Sequence, residues 1–237
     1  NGRPFPRCKT RLYDSGIRTP FLIARPGTIA PAVTDSLMSS IDISATILEL
    51  AGAKKDKRVQ GVSFASILKD PKTKTRDFVF SEHNWHVFQA HERMVRWKNW
   101  MLIRNGYPDR QNLCMEGDPS HPAGKELWDM EAAGKLNKDQ RDIFLKPRAA
   151  LELYDVTKDP HQLHNLAAEK EHAPVLSDLV RFLDRWAEDT GDTVPKDPTN
   201  DRQDPYKKKY RNHKRGTMPG TERGATKINH PGPIRDR

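Results

Sequence analysis

The sequence predicts a mixed α/β fold that ends in a small antiparallel sheet closed by a helix, and three observations predict it. Residues 93–97 and 100–103 are β-prone runs joined by Lys98-Asn99, the pattern of a hairpin. Residues 151–156 form a further strand-like run that meets the turn pair Asp159-Pro160. Between Pro174 and Asp189, the residues Val175, Leu179, Phe182, Leu183 and Trp186 share one helical stripe.

Taken in order, Asp14-Ser15-Gly16-Ile17 predicts a tight turn with positive φ at Gly16. Pro20 biases Thr19 toward extended geometry, and the apolar run 21–24, bounded by Pro26-Gly27, predicts a short buried strand. Residues 28–40 form a polar connector. A helix follows over 41–51, capped by Ser39 or Ser40 and stopped by Gly52, with Ile43, Ile47, Leu50 and Ala51 on its core face. Residues 53–60 read as a basic loop and 61–68 as a short helix or turn. Residues 77–82 alternate as a strand. Residues 106–150 are rich in Gly, Pro and charge and predict a surface insertion with a helix over 138–145. Pro174 suits the first turn of the last helix, and Gly191 ends it.

A length of 237 residues allows one large domain or two small ones. The composition shifts divide it into 1–70, 71–191 and 192–237. Apolar residues make up 35% against 31% charged, and 18 prolines point to a core plus a less well packed fraction. The net charge is +9, and residues 192–237 hold twelve Lys/Arg against six Asp/Glu, so the body is close to neutral. The run 206–215, basic with two tyrosines, suits a polyanion such as a sulfated glycan, or is a solvated tail; nucleic acid is the less fitting partner. Cys8 and Cys114 make no disulfide framework, and two free thiols is the simpler reading. No apolar run reaches the length of a membrane span. No signal peptide is evident at the start.

Two stretches carry chemistry. The first, 1–23, threads Arg3, Arg7, Lys9 and Arg11 through turn-formers ahead of the apolar run, a common way to present anion-binding side chains. The second is Glu82-His83-Asn84-Trp85-His86 followed by His91-Glu92-Arg93. Histidine there is suited to proton transfer to a leaving group, and arginine to a sulfate or carboxylate. A zinc site on His83-x-x-His86 is the weaker reading, because no cysteine partner accompanies it. Solvated loops with ordinary lysines and histidines are the alternative for both stretches.

The first stretch resembles the sulfatase family of the alkaline-phosphatase superfamily, whose pattern is Asp-Asn-Gly, a short loop, then Lys-x-x-x-Tyr-x-x-Gly-x-Arg-x-Pro. The matches are Asn1-Gly2, Lys9, Tyr13, Gly16, Arg18 and Pro20, and Pro4-Phe5-Pro6 is similar to the sulfamidase (heparan N-sulfatase) group. Residues 151–166 resemble the family's Glu-Leu-Tyr-Asp-x-x-x-Asp-Pro-x-Glu-x-x-Asn-Leu segment, departing at Gln162.

The resemblance implies residues 1–70 as the end of an alkaline-phosphatase-like α/β domain, then the small sheet. It implies Asn1 as an oxygen ligand of one Ca2+, Lys9 as a clamp on the sulfate, and His83, His86 and Arg93 at the substrate, with His83 catalytic. The family's nucleophile, a formylglycine made within Cys/Ser-x-Pro-x-Arg, has no counterpart here, so it is expected on an N-terminal part of the same enzyme. The implied activity is hydrolysis of sulfate esters or sulfamates of a sugar or aryl substrate by an exported enzyme, with this chain alone inactive. A phosphodiesterase or phosphonate hydrolase of the same superfamily, and a non-catalytic polyanion-binding module, are the competing readings.

Overall fold

Alternation along a strand sends successive side chains to opposite faces of a sheet, and both faces are covered here. The computed structural model describes residues 2–204, the backbone of 209–210, and 214–228. Its centre is a four-stranded antiparallel sheet in the order β1 (Phe78–His83), β2 (Glu92–Trp97), β3 (Trp100–Asn105), β4 (Leu151–Asp155). Lys98, at φ 54°, makes the tight turn between β2 and β3 and brings Trp97 opposite Trp100. The four strands fall where the sequence predicts them.

One face packs on a long helix. Phe78, Val95, Leu102 and Leu153 meet Leu179, Phe182 and Leu183 of the 18-residue helix Ala173–Thr190. Phe182 lies 4.3 Å from Phe78, ring centre to ring centre. Gly191, at φ 68°, closes this helix in the left-handed conformation that favours glycine. The other face is covered by the opening loop: Leu12 and Tyr13 pack on Met94, Met101, Ile103, Tyr154 and Val156. The sheet therefore positions the basic loop, and the helix positions the sheet.

Numbered in chain order, the helices are α1 (Asp14–Ile17), α2 (Asp42–Leu50), α3 (Pro122–Ala132) and α4 (Ala173–Thr190). Four expectations need correction. Gly16 sits inside α1, and its requirement is space: a Cβ there would lie 2.1 Å from the Cys8 carbonyl oxygen. Residues 21–24 form no strand and are exposed, Leu22 by 94%, because no neighbouring strand among the described residues takes up their backbone groups. Helix α2 forms where predicted, yet it buries Asp42, Ala45 and Thr46 and leaves Ile47 and Leu50 each 60% exposed. Neither Ser39 nor Ser40 caps it by its hydroxyl; the Asp42 carboxylate accepts the Ser39 N–H at 2.8 Å instead.

The insertion is more ordered than its composition suggests. Helix α3 was not foreseen, and the helix expected over 138–145 is a short 3₁₀ segment, Gln140–Phe144. Buried Asp118 organises the start of α3 by accepting the Ser120 N–H (2.6 Å) and Gln203 Nε2 (2.7 Å). Residues 192–204 fold back over the loop after β1, and Gln203–Asp204 (β5) pairs with Lys209–Tyr210 (β6). Most of the predicted polyanion-binding run 206–215 lies outside the described residues.

Candidate functional site

The opening loop holds a compact shape through its own backbone bonds, Gly2 N–H to Gly16 O (3.1 Å), Lys9 N–H to Arg3 O (3.1 Å) and Arg11 N–H to Cys8 O (3.1 Å). Arg7 (φ 59°) and Thr10 (φ 64°) take left-handed conformations on either side of Lys9, a strained geometry for non-glycine residues that surrounding contacts must hold in place. Arg7 supplies much of that hold. Its guanidinium lies 3.8 Å over the Tyr13 ring, pairs with Asp142 and donates to the Gln162 carbonyl. Gln162 is itself buried and accepts the Asp14 N–H at 2.9 Å. The family-divergent glutamine thus joins the exit of β4 to the loop. Cys8 and Cys114 are both buried free thiols.

Under the loop runs a buried polar network. Register pairs His83 at the end of β1 with Glu92 at the start of β2, which puts both on the loop-facing side. His83 Nδ1 lies 2.7 Å from Glu92 Oε2. Arg11 Nη1 reaches both Glu92 oxygens at 3.0 and 3.2 Å, and Arg148 Nη2 reaches Oε1 at 2.7 Å. Burial alone would raise the Glu92 carboxyl; Arg11, Arg148 and His83 outweigh it and hold the group well below the usual carboxylate range. Asn105 links this cluster to a second one, donating to Glu152 at 2.6 Å while accepting from Arg148. Glu152 accepts from the phenols of Tyr13 and Tyr154, each at 2.8 Å, and burial with this carboxylate raises both phenols above their ordinary range.

A small, shallow cavity opens over the network, lined by Thr10, His83, His86, Val87, Phe88, Leu113, Cys114 and Met115. His83 is largely buried there, and its Nε2 has no protein partner among the described residues. His86 is exposed at the same rim. Two of the predicted residues, His83 and His86, line this pocket together, and Lys9 is next in sequence to Thr10 but is not among the lining residues.

Arg93 does not join them. One step along β2 from Glu92 turns it to the α4 face, where it is 3% exposed and forks onto Asp192 (2.8 and 2.7 Å) beside Trp186. Its third nitrogen donates to the Glu92 carbonyl. The guanidinium is taken up by protein partners, so Arg93 anchors the returning chain instead of facing the cavity. That chain continues the contact: His91 Nε2 donates to Thr193 O, the Arg202 N–H to Val87 O, Trp85 Nε1 to Asn200 O, and the Gln89 N–H to Asp201.

Asp192 makes this strap sensitive to acid. Burial pushes its carboxyl up, and neighbouring His91 and Arg93 outweigh that and hold it at about 2, below its ordinary 3.8. The stability is present above pH 4 and is lost as the pH falls through 2, and it amounts to about 2 kcal/mol. Asp192→Asn at neutral pH is therefore expected to speed hydrogen exchange of the Arg202 amide by about 30-fold. An unchanged rate would mean the strap is held by its other contacts.

Three residues of the buried network escaped sequence reasoning. Glu92 was visible as a carboxylate in the histidine cluster, but its pairing with His83 needs the β1–β2 register. Arg11 is one of several basic residues in its loop, and nothing in the sequence marks Arg148.

The fit to a calcium ion is poor within the described residues. Asn1, the implied ligand, lies outside them. The only metal-compatible carboxylate–histidine group among them, Glu169, Glu171 and His172, is on the surface beside Trp100, at the opposite end of the sheet from His83. Most of a calcium site would have to come from beyond this chain.

The family described as N-sulphoglucosamine sulphohydrolase, C-terminal, matches residues 8–121. An ulvan-active sulfatase of Formosa agariphila is 34% identical over 197 residues, 81% of this chain and 32% of that protein. Homo sapiens N-sulphoglucosamine sulphohydrolase is 26% identical over 211 residues, 81% of this chain and 41% of its own length. A solved 2-O GAG sulfatase superposes on 62% of this chain and 24% of its own, with a TM-score of 0.40 and 22% identity. The chain thus spans roughly a third of the curated relatives it matches. By its matched segment and its relatives, the chain belongs to the sulfatase family.

Proposed function

We propose that this chain is the C-terminal part of a sulfatase that hydrolyses a sulfate ester or sulfamate of a sulfated carbohydrate. The observation that carries the reading is His83, an imidazole fixed by an ionised carboxylate at the wall of a cavity rimmed by the basic loop. Relatives named for ulvan and for N-sulphoglucosamine support the carbohydrate class. Lys9 binds the sulfate as a point charge on an oxygen whose negative charge grows as the S–O bond breaks. His83 delivers a proton to the departing oxygen or nitrogen, and His86 contacts the sugar. A calcium ion held in part by Asn1, and a formylglycine nucleophile, would supply charge neutralisation and attack on sulfur, both resting largely on sequence outside this chain.

The remainder of the same enzyme is the proposed partner. Residues 21–50 leave Leu22, Val33, Ile47 and Leu50 exposed, Leu22 and Val33 by more than 90%. The relatives' additional length supplies what would cover them. Export is part of the same proposal; among the described residues, no helix is long and apolar enough to cross a membrane.

The test is an assay of the full-length enzyme on sulfated sugars and on 4-nitrocatechol sulfate. Lys9→Ala is expected to lower kcat/KM by about 100-fold, and the isolated chain is expected to give no turnover. Turnover by the isolated chain, or an unaffected Lys9→Ala enzyme, would overturn the assignment.

A further inference from the structure

We propose that Glu92 is a positioning residue for His83, clamped by Arg11 and Arg148 so that the imidazole presents Nε2 to the cavity, and that this arrangement serves substrates with poor, alkoxide-type leaving groups. The inference rests on the sulfatase reading above and goes beyond it by assigning a device that sets the histidine's tautomer and the leaving-group class.

The argument begins with how Glu92 is held. It is 3% exposed and sits directly across the ladder from His83. A carboxylate has two oxygens, and both are engaged here: Oε1 takes Arg11 at 3.0 Å and Arg148 at 2.7 Å, while Oε2 takes Arg11 at 3.2 Å and lies 2.7 Å from His83 Nδ1. An ionised carboxylate only accepts. The proton in that contact therefore belongs to Nδ1, and the neutral ring carries its lone pair on Nε2. That nitrogen is buried and has no protein partner among the described residues, while the ring lines the cavity. Other charged groups are accounted for. Arg11 comes from the loop, Arg148 from the segment before β4, and Asn105 on β3 relays to Glu152 on β4. No second carboxylate touches His83 in the described contacts. Three separate chain segments thus converge on orienting one imidazole.

This geometry matters when the leaving group needs a proton. In the step His83 reacts as the imidazolium, with Nδ1–H on Glu92 and a second proton taken up by the Nε2 lone pair: a bond forms between sulfur and the nucleophile's oxygen, the bond from sulfur to the sugar oxygen breaks, and the Nε2 proton passes to that oxygen. The sugar leaves as an alcohol, and the imidazole is left neutral with its remaining proton on Nδ1 against Glu92. An aryl sulfate whose phenolate leaves unaided gains little from this transfer.

Two measurements test the assignment. In the 237-residue chain, two-bond ¹H–¹⁵N spectra of ¹⁵N-histidine should show neutral His83 protonated on Nδ1. Glu92→Gln should shift it toward the Nε2-protonated form, because the amide has one acceptor oxygen and two arginines compete for it. A wild-type His83 protonated on Nε2 would overturn the proposal, and this arm needs no activity. In the full-length enzyme, Glu92→Gln should lower kcat on a sulfated sugar by about 100-fold, yet change kcat on 4-nitrophenyl sulfate by no more than about threefold, with KM nearly constant. His83→Ala should reproduce that split. Equal losses on both substrates would reduce Glu92 to a structural residue and overturn the proposal. If Glu92→Gln fails to fold, the wild-type tautomer and the His83→Ala split decide. A full-length enzyme with no sulfatase activity while His83 is protonated on Nδ1 would defeat the sulfatase reading alone.

Discussion

Asp42→Ala is expected to destabilise this chain by about 3–5 kcal/mol, the usual consequence of stripping the partner from a buried charge. Asp42 is fully buried, and its carboxylate is shared by three segments. It accepts the Ser39 N–H and the Val62 N–H, each at 2.8 Å, and pairs with Arg76, whose side chain is 1% exposed. Gly61 lets the chain at Val62 approach, since a Cβ there would lie 2.1 Å from the Ile41 carbonyl oxygen. Arg76 in turn leads directly into β1 and donates to the Phe78 carbonyl at 3.4 Å. The alanine variant would leave the guanidinium buried without its counter-ion, and it would untie α2 from both neighbours. Asp42→Ala/Arg76→Met should recover most of the loss, because the surviving charge is then removed as well. Urea unfolding of the two variants checks this; equal losses in the single and double variants would show that the backbone bonds, and not the ion pair, hold α2.

How far the sequence announces this architecture depends on whether a residue's partner lies near in sequence or across the fold. The hairpin 92–105 and helix α4 were legible because their patterns are local and both of their surfaces are satisfied within this chain. Leu179, Phe182, Leu183 and Trp186 are buried as their spacing requires. Helix α2 shows the limit. Its periodicity located the helix but assigned the inward face wrongly, since the side that fastens it here is polar, through Asp42 and Thr46. Thr46 Oγ1 even takes the Phe64 N–H at 3.0 Å, a bond that no pattern of apolar residues foretells. The run 21–24 fails similarly: a strand pattern describes what a segment can pair with, and pairing needs the other strand.

The site divides along the same line. Residue type brought out His83 and His86, which do line one pocket, and the family's loop brought out Lys9, both of which local sequence carries. Arg93 was grouped with them by proximity in sequence, although strand parity separates neighbouring residues by the thickness of the sheet. Glu92 gained its partner only through register, and Arg148 reaches it from 56 residues away.

Phe182→Ala should cost a further 3–5 kcal/mol in the isolated chain, and the contrast with Ile47→Ala separates the two kinds of apolar face. Phe182 is 2% exposed, packs on Phe78 with the rings tilted 57° and their centres 4.3 Å apart, and meets Trp97 edge-on at 6.1 Å. Truncation removes the ring's transfer energy and leaves a hole between helix and sheet that their rigid pairing cannot close. Ile47 is as apolar, but at 60% exposure its truncation should change the chain's stability by no more than about 0.5 kcal/mol. In the complete enzyme the same Ile47→Ala should become costly, by about 1–3 kcal/mol, if the remainder of the protein buries that face. Phe182→Ala should cost the same in both settings, because everything it touches is already present. Paired urea titrations of the chain and the full-length enzyme read this difference directly. An Ile47→Ala cost that stays near zero in both would show that the face on α2 is not where the rest of the enzyme sits.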